Sequence, residues 1–363
     1  MEKQQKTVLE RLTESYEKFQ KKENKFLFFV PDTLGIPSGA VIEIYNQANI
    51  LRKSGYNVLI FGDKEDFPVP TYIDQECQTL THKSLRKAGN NQMVLDIEIS
   101  PEDFMVIPDF FTNIMETTKN LPCQRIVLAQ SFEYITNSLL PGMKYSDFGI
   151  RHIITTSTKL KEFIEEFHGK ETYDISVYTV GIPDYFKNKP FKKPSIAFVS
   201  RNASDILKVT RLFYLKYPEL RWISFEEIRN LNREKFAEKL SESVACLWID
   251  RIASFGTLPL EAMKAGVVPV GLVPEVVPNY LVENAGVWVN DVYKLPDFLA
   301  TVVKMSLEDN IPQVIFDTMK QVSDKHSVEI SNESILNVYN DIISKRDAEY
   351  KSFIELETKK ESI

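Results

Sequence analysis

Short apolar runs alternate with helical segments along this chain, and the alternation plays out twice. Residues 26–30 form an apolar run of strand length, followed by a Gly/Pro-containing loop over 31–39. Residues 40–53 read as a helix that ends at Ser54 and Gly55, and 57–61 read as a second strand. Strand, glycine loop, helix, strand is a βαβ unit, the seed of a parallel sheet. Runs at 104–107, 125–129, 152–156 and 176–180 continue the pattern, with a helix near 159–167. A Lys/Pro-rich stretch at 187–194 interrupts it. Strands are then expected at 195–200, 221–225, 244–249, 267–271 and 286–289, with helices near 204–217, 233–241 and 255–265.

Two rounds of this alternation predict an α/β protein of two Rossmann-like, doubly wound domains facing across a cleft. A length of 363 residues agrees with that count at roughly 150 residues per domain. The expected division is an N-terminal amphipathic helix at 1–24, a first domain at 25–188, a second at 195–330, and a C-terminal helical segment at 331–363 crossing back to the first. Ligands of such sheets bind beyond the carboxyl ends of the strands, so the cleft is the expected site.

Composition removes several alternatives. Hydrophobic residues make up 43% of the chain, with 23 Phe and 15 Tyr, which excludes a disordered protein. Lys plus Arg is 44 and Asp plus Glu is 51, so the formal charge is 44 − 51 = −7, which argues against a broad nucleic-acid-coating surface. Three separated cysteines, Cys77, Cys123 and Cys246, suit a reducing compartment better than a disulfide framework. The charged start is unlike a signal peptide, and no run of about 18 uncharged apolar residues occurs, so a cytoplasmic protein without a spanning helix is expected. Val8, Leu9, Leu12, Tyr16 and Phe19 recur at helical spacing. They suggest a helix packed on the body, with peripheral contact to a membrane surface as the alternative.

Residues 253–271 carry the most chemistry. They read as a strand end, a glycine turn and a helix in which Thr257 can cap and Pro259 suits the first turn. Free N–H groups and the helix dipole favour an anion there, and Gly256 permits close backbone approach. Glu261, in the first turn, can accept hydrogen bonds from sugar hydroxyls or simply complement the dipole. No metal is expected. Asp96-Ile-Glu98, in an expected strand, has no acidic partner, and His82, His152, His168 and His326 lack ligand spacing. No Ser/His/Asp set or reactive cysteine arrangement follows from spacing.

The pattern Phe255-Gly-x-x-x-Leu260-Glu261-Ala-Met263-x-x-Gly266-x-x-Pro269-Val resembles the donor-site signature of glycosyltransferase family 4, retaining nucleotide-sugar enzymes of the GT-B fold. Gly35, Gly39 and the segment 43–58 are similar to that family's first glycine loop and long helix. Residues 125–133, 153–159 and 178–183 resemble later landmarks, so the similarity spans roughly 26–305.

The resemblance implies a retaining, metal-independent glycosyltransferase, hexosyl or related, taking a nucleotide sugar as co-substrate and no further cofactor. Arg201 and Lys208, seven residues apart, would pair with the diphosphate, and fixed cations there lower the barrier to its departure. Glu261 would orient a sugar hydroxyl. Gly39, Ser254, Phe255, Gly256, Thr257 and Leu258 would surround the donor, and Glu226 would lie near the base. Gln130 and Glu133 would meet the acceptor, a growing glycan by the same resemblance. The family often carries a glutamate eight residues before the one matching Glu261, where this chain has Ala253. That departure keeps open a binding or scaffold subunit without turnover, and Asp250 is a candidate substitute. A modified nucleic-acid base as acceptor is a third reading, disfavoured by the acidic charge. On the leading reading, Arg201→Ala or Glu261→Ala leaves the fold intact and lowers transfer by about 10²-fold or more.

Overall fold

A computed structural model describes residues 6–64, 66–87, 93–170, 172–200, 202–251 and 255–362. Its first sheet contains β1 (Lys25–Val30), β2 (Asn57–Gly62) and β3 (Thr81–Ser84). A two-stranded antiparallel ribbon, β4 (Arg86–Lys87) and β5 (Met93–Val94), stands apart, and β6 (Phe104–Pro108), β7 (Gln124–Ala129), β8 (His152–Thr155) and β9 (Asp174–Val177) complete the sheet. Its order is β3-β2-β1-β6-β7-β8-β9, with every pairing parallel. The helices of this half are α1 (Val8–Gln20), α2 (Gly39–Lys53), α3 (Gln75–Gln78), α4 (Thr112–Thr118), α5 (Phe132–Asn137) and α6 (Thr158–His168).

The second sheet holds β10 (Lys193–Phe198), β11 (Ser224–Glu227), β12 (Ser243–Trp248), β13 (Pro269–Leu272) and β14 (Val287–Val289). They run parallel in the order β11-β10-β12-β13-β14. Around it lie α7 (Ala203–Lys216), α8 (Arg233–Ser241), α9 (Leu258–Lys264), α10 (Leu295–Leu307), α11 (Gln313–Asp324) and α12 (Val328–Glu361). In each sheet the chain reverses its direction of growth beside the first strand, between β1 and β6 and between β10 and β12. Such switch points open a crevice at the carboxyl ends of the strands.

The central strands carry long apolar stretches because helices cover both faces. Residues 26–30 of β1 and all of β12 are buried. Polar caps start several helices: Ser157 Oγ accepts from Leu160 N at 3.1 Å, and Asn232 Oδ1 from Lys235 N at 2.9 Å. Several segments differ from the sequence expectation. The strand expected at 221–225 is β11, three residues later, because Pro218–Leu220 forms a 3₁₀ turn first. The strand expected at 176–180 stops at Val177, where the chain leaves the sheet and Thr179 N donates to Ser334 Oγ at 2.9 Å. Asp96 lies in a bend and Glu98 outside any strand, so the strand expected around them does not form.

Long α12 returns across the first domain. Gly181 sits so close to it that a Cβ there would meet Ser331 Cβ at 2.6 Å. Tyr339 OH donates to buried Gln47 Oε1 at 2.8 Å, and Tyr350 packs against Phe19 and Tyr16 of α1 at 5.6 and 6.0 Å between ring centroids. The apolar side of α1 carrying Tyr16 and Phe19 is thus covered by protein. Tyr339→Phe should cost about 1–2 kcal/mol in urea unfolding, because Gln47 is left buried with an unmet acceptor. A change below about 0.3 kcal/mol would show that the bond adds nothing.

Candidate functional site

An open cleft with a cavity volume of about 210 Å³ lies between the sheets, beyond the carboxyl ends of their central strands. The first domain supplies residues 37–40 with Ile42 and Glu43 from the start of α2, and Gln130, Ser131 and Thr156 past the ends of β7 and β8. The second supplies Val199 after β10, Trp248 and Asp250 at the end of β12, Arg233 from α8, and Phe255, Gly256, Thr257, Leu258 and Glu261 around the start of α9.

Buried contacts hold this rim in place. Asp109, the first residue beyond β6, accepts from the N–H groups of Gln130 at 2.8 Å and Ser131 at 3.0 Å, fixing the loop after β7. Burial pushes its carboxyl up to about 7, against the pull of those bonds. Gln130 Nε2 in turn donates to Ala40 O at 3.1 Å, tying this loop to α2. Across the cleft, Tyr280 OH donates to the carbonyls of Phe255 and Gly256. Gly256 has φ +65°, and Trp248 packs against its open side. The domains meet at the cleft floor: a Cβ on Gly39 would lie 3.2 Å from Thr257 Oγ1. Lys264 Nζ donates to Ile182 O at 2.7 Å, and Asn279 Nδ2 to Thr158 Oγ1 at 2.8 Å.

Glu261 is buried, and its Oε1 accepts from Arg233 Nη2 at 2.5 Å. The Arg233 guanidinium lies over the rings of Phe186 and Phe236, 4.9 and 5.5 Å from their centroids. Arg233 is not among the residues expected from the sequence, yet a signal for it exists: Arg233, Phe236, Ala237 and Leu240 share the inward side of α8, a charge on an otherwise apolar stripe.

Of the residues singled out from sequence, Gly39, Gln130, Phe255, Gly256, Thr257, Leu258 and Glu261 come together around the cleft, with Asp250. Arg201, Ser254 and Ala253 lie outside the described residues. Lys208 is exposed on α7, its Nζ 3.1 Å from Asp205 Oδ1, and does not line the cleft. Nor does Glu133, which accepts from Asn137 Nδ2 at 2.8 Å, or Glu226 on edge strand β11, which is 3.9 Å from Lys239 Nζ. The helix expected from Phe255 begins at Leu258, and the Thr257 side chain makes no capping bond. Among the described residues no group of three or more His, Cys, Asp or Glu is spaced to hold a metal ion, and no helix is long and apolar enough to cross a membrane. The three cysteines are free and buried.

Solved structures superpose over most of the chain. Sucrose-phosphate synthase from Thermosynechococcus elongatus matches with TM-score 0.64 at 11% identity, covering 89% of this chain and 100% of that one. TarM from S. aureus, in a complex containing UDP, matches with TM-score 0.64 at 9% identity over 88% and 99%. HepE from Anabaena, in complex with UDP-glucose, matches with TM-score 0.63 at 11% identity over 87% and 99%.

The chain has the GT-B fold. Identities this low carry the fold alone. No protein-family model matches the sequence. A curated relative, an alpha-1,6-glucosyltransferase from Actinobacillus pleuropneumoniae, is 24% identical over 204 residues, which is 54% of this chain. The match spans 61% of that relative's length.

Proposed function

We propose that this GT-B protein is a glycosyltransferase that moves a sugar from a nucleotide-sugar donor to an acceptor glycan, with retention and without a metal. The observation that carries the reading is the cleft itself, which lies past both sets of strand ends and joins the Gly39 loop to the Gly256–Thr257 turn. The similarity to a glucosyltransferase and to structures holding UDP supports it.

In this reading Arg201 and Lys208 hold the diphosphate, and the Gly256–Thr257 backbone approaches it. Lys208 Nζ is exposed and tethered only to its helical neighbour Asp205 among the described residues, so it can exchange that carboxylate for a phosphate. Glu261, oriented by Arg233, keeps one carboxylate oxygen for a sugar hydroxyl, and Gln130 presents the acceptor. The bond from the sugar's anomeric carbon to the diphosphate breaks, and a bond to the acceptor oxygen forms on the same face. The acceptor's proton leaves with the departing phosphate. Fixed cations in a closed, dry cleft stabilise the charge that develops. Ala253 motivates a second reading, a protein that binds the donor without turnover.

Thermal-shift titration against nucleoside diphosphates and their sugars tests the proposal. A bound donor at 100 times its Kd adds about 2.7 kcal/mol of stability. One nucleotide should raise Tm in a concentration-dependent way, and its sugar should then be transferred or slowly hydrolysed. Binding without either reaction selects the second reading, and indifference to every nucleotide refutes both.

A further inference from the structure

Glu43 is a carboxylate in an unexpected place. It lies on α2 between Ile42 and Ile44, is 4% exposed, and lines the cleft beside Arg233 and Glu261 of the opposite domain. Its Oε1 accepts from Asn46 Nδ2 at 3.1 Å, while its Oε2 is buried and meets no hydrogen-bond partner among the described residues. In the lining of the same cleft, Thr156 Oγ1 is likewise buried and without a hydrogen-bond partner among the described residues, and so is Arg233 Nε. Buried polar atoms left without partners are costly, and a native fold rarely keeps several at one place without a use for them.

We propose that Glu43 is a substrate-binding residue that hydrogen-bonds a sugar hydroxyl in the cleft, with Thr156 as its companion. The inference rests on the glycosyltransferase reading and deepens it, by assigning sugar recognition to a first-domain helix rather than to the donor half alone. The chemistry fits. Burial pushes the Glu43 carboxyl up to about 8, with Arg233 opposing the shift and the Glu261 and Asp74 carboxylates adding to it. At neutral pH the group is then a carboxylic acid, able to donate one hydrogen bond and accept another, as a sugar hydroxyl requires. The nearby Tyr178 phenol, which also interacts with Glu43, is pushed upward by burial and stays neutral.

The hydroxyl can belong to the transferred sugar or to the acceptor, and two arms separate these. The probes are UDP and UDP-glucose, or whichever diphosphate and nucleotide sugar the thermal-shift screen selects. Glu43→Ala should leave affinity for the diphosphate within about 3-fold of wild type. It should weaken either the nucleotide sugar, in the donor arm, or the acceptor KM, in the acceptor arm, by about 10-fold, one hydrogen bond's worth. Glu43→Gln, which keeps a donor and an acceptor, should recover most of that loss. It should also stabilise the free protein relative to wild type as pH rises from about 5 through 8. Over that range wild-type Glu43 ionises in the unfolded chain first, so folding becomes progressively less favourable, and the glutamine is exempt. Equal loss of diphosphate and sugar binding in Glu43→Ala, or wild-type values in both arms, overturns the proposal. Wild-type protein that binds no nucleotide sugar instead refutes the parent reading, without reference to any variant.

Discussion

Glu261→Ala is expected to destabilise the fold by about 3–5 kcal/mol, and Arg233→Met by a similar amount. Sequence alone suggests that the glutamate can be removed with the fold intact. The structure reverses that expectation, because the carboxylate is buried against a guanidinium whose side chain is itself only 10% exposed. Deleting either partner strands a charge in a low-dielectric site, where it can neither rehydrate nor find another partner cheaply. Replacing both with apolar side chains of similar volume removes two desolvation costs together. Arg233→Met/Glu261→Leu should therefore recover most of the lost stability while losing transfer. Urea unfolding of the four proteins gives the coupling energy directly, and single variants each within about 1 kcal/mol of wild type would show that the pair is not energetically coupled. Activity of the single variants must accordingly be read at a temperature where each remains folded. Otherwise unfolding would be mistaken for a lost substrate contact.

The architecture was legible because parallel sheets demand unbroken apolar strands. The run 26–30 and the stretch ending at Trp248 have that property, and glycine or polar turns separate them from helices of clear period. Edge strands were not legible for the complementary reason. Residues 81–84 (Thr-His-Lys-Ser) alternate between exposed and half-buried positions and carry no apolar signal, yet they pair in parallel with β2. At the site, the residues around the glycine turn could be found because backbone geometry ties them to fixed spacings, as at Phe255, Gly256 and Glu261. Arg233 and Glu43 could not be placed from sequence. Their importance comes from burial next to one another across two domains, separated by 190 positions in the chain, and no local pattern encodes that meeting. Lys208 shows the converse. Its spacing from Arg201 suggests a shared ligand, while its position one helical turn after Asp205 supplies a local partner that holds it at the surface in the free protein.

Gly256→Ala should lower both stability and donor binding, and Gly55→Ala separates the two causes. Both glycines have positive φ, +65° and +90°, so an alanine at either pays about 1–2 kcal/mol for a left-handed backbone. At Gly55 a Cβ meets nothing within 4 Å, and that conformational cost is the whole effect. At Gly256 the added methyl would lie 2.7 Å from Trp248 Cζ2, within a turn whose carbonyls are pinned by Tyr280. The ring is 3% exposed and packs edge-on to Trp288, so it cannot swing aside, and overpacking adds about 1–3 kcal/mol. The turn must then move, and Thr257 moves with it against Gly39 at the domain contact. A donor that uses this backbone should bind at least about 10-fold more weakly to Gly256→Ala, at temperatures well below its Tm. Gly55→Ala, some distance along the chain at the end of α2, should bind it as wild type does. Equal stability losses in the two variants, with unchanged nucleotide affinity in both, would mean that the turn is neither tightly packed nor part of the donor site.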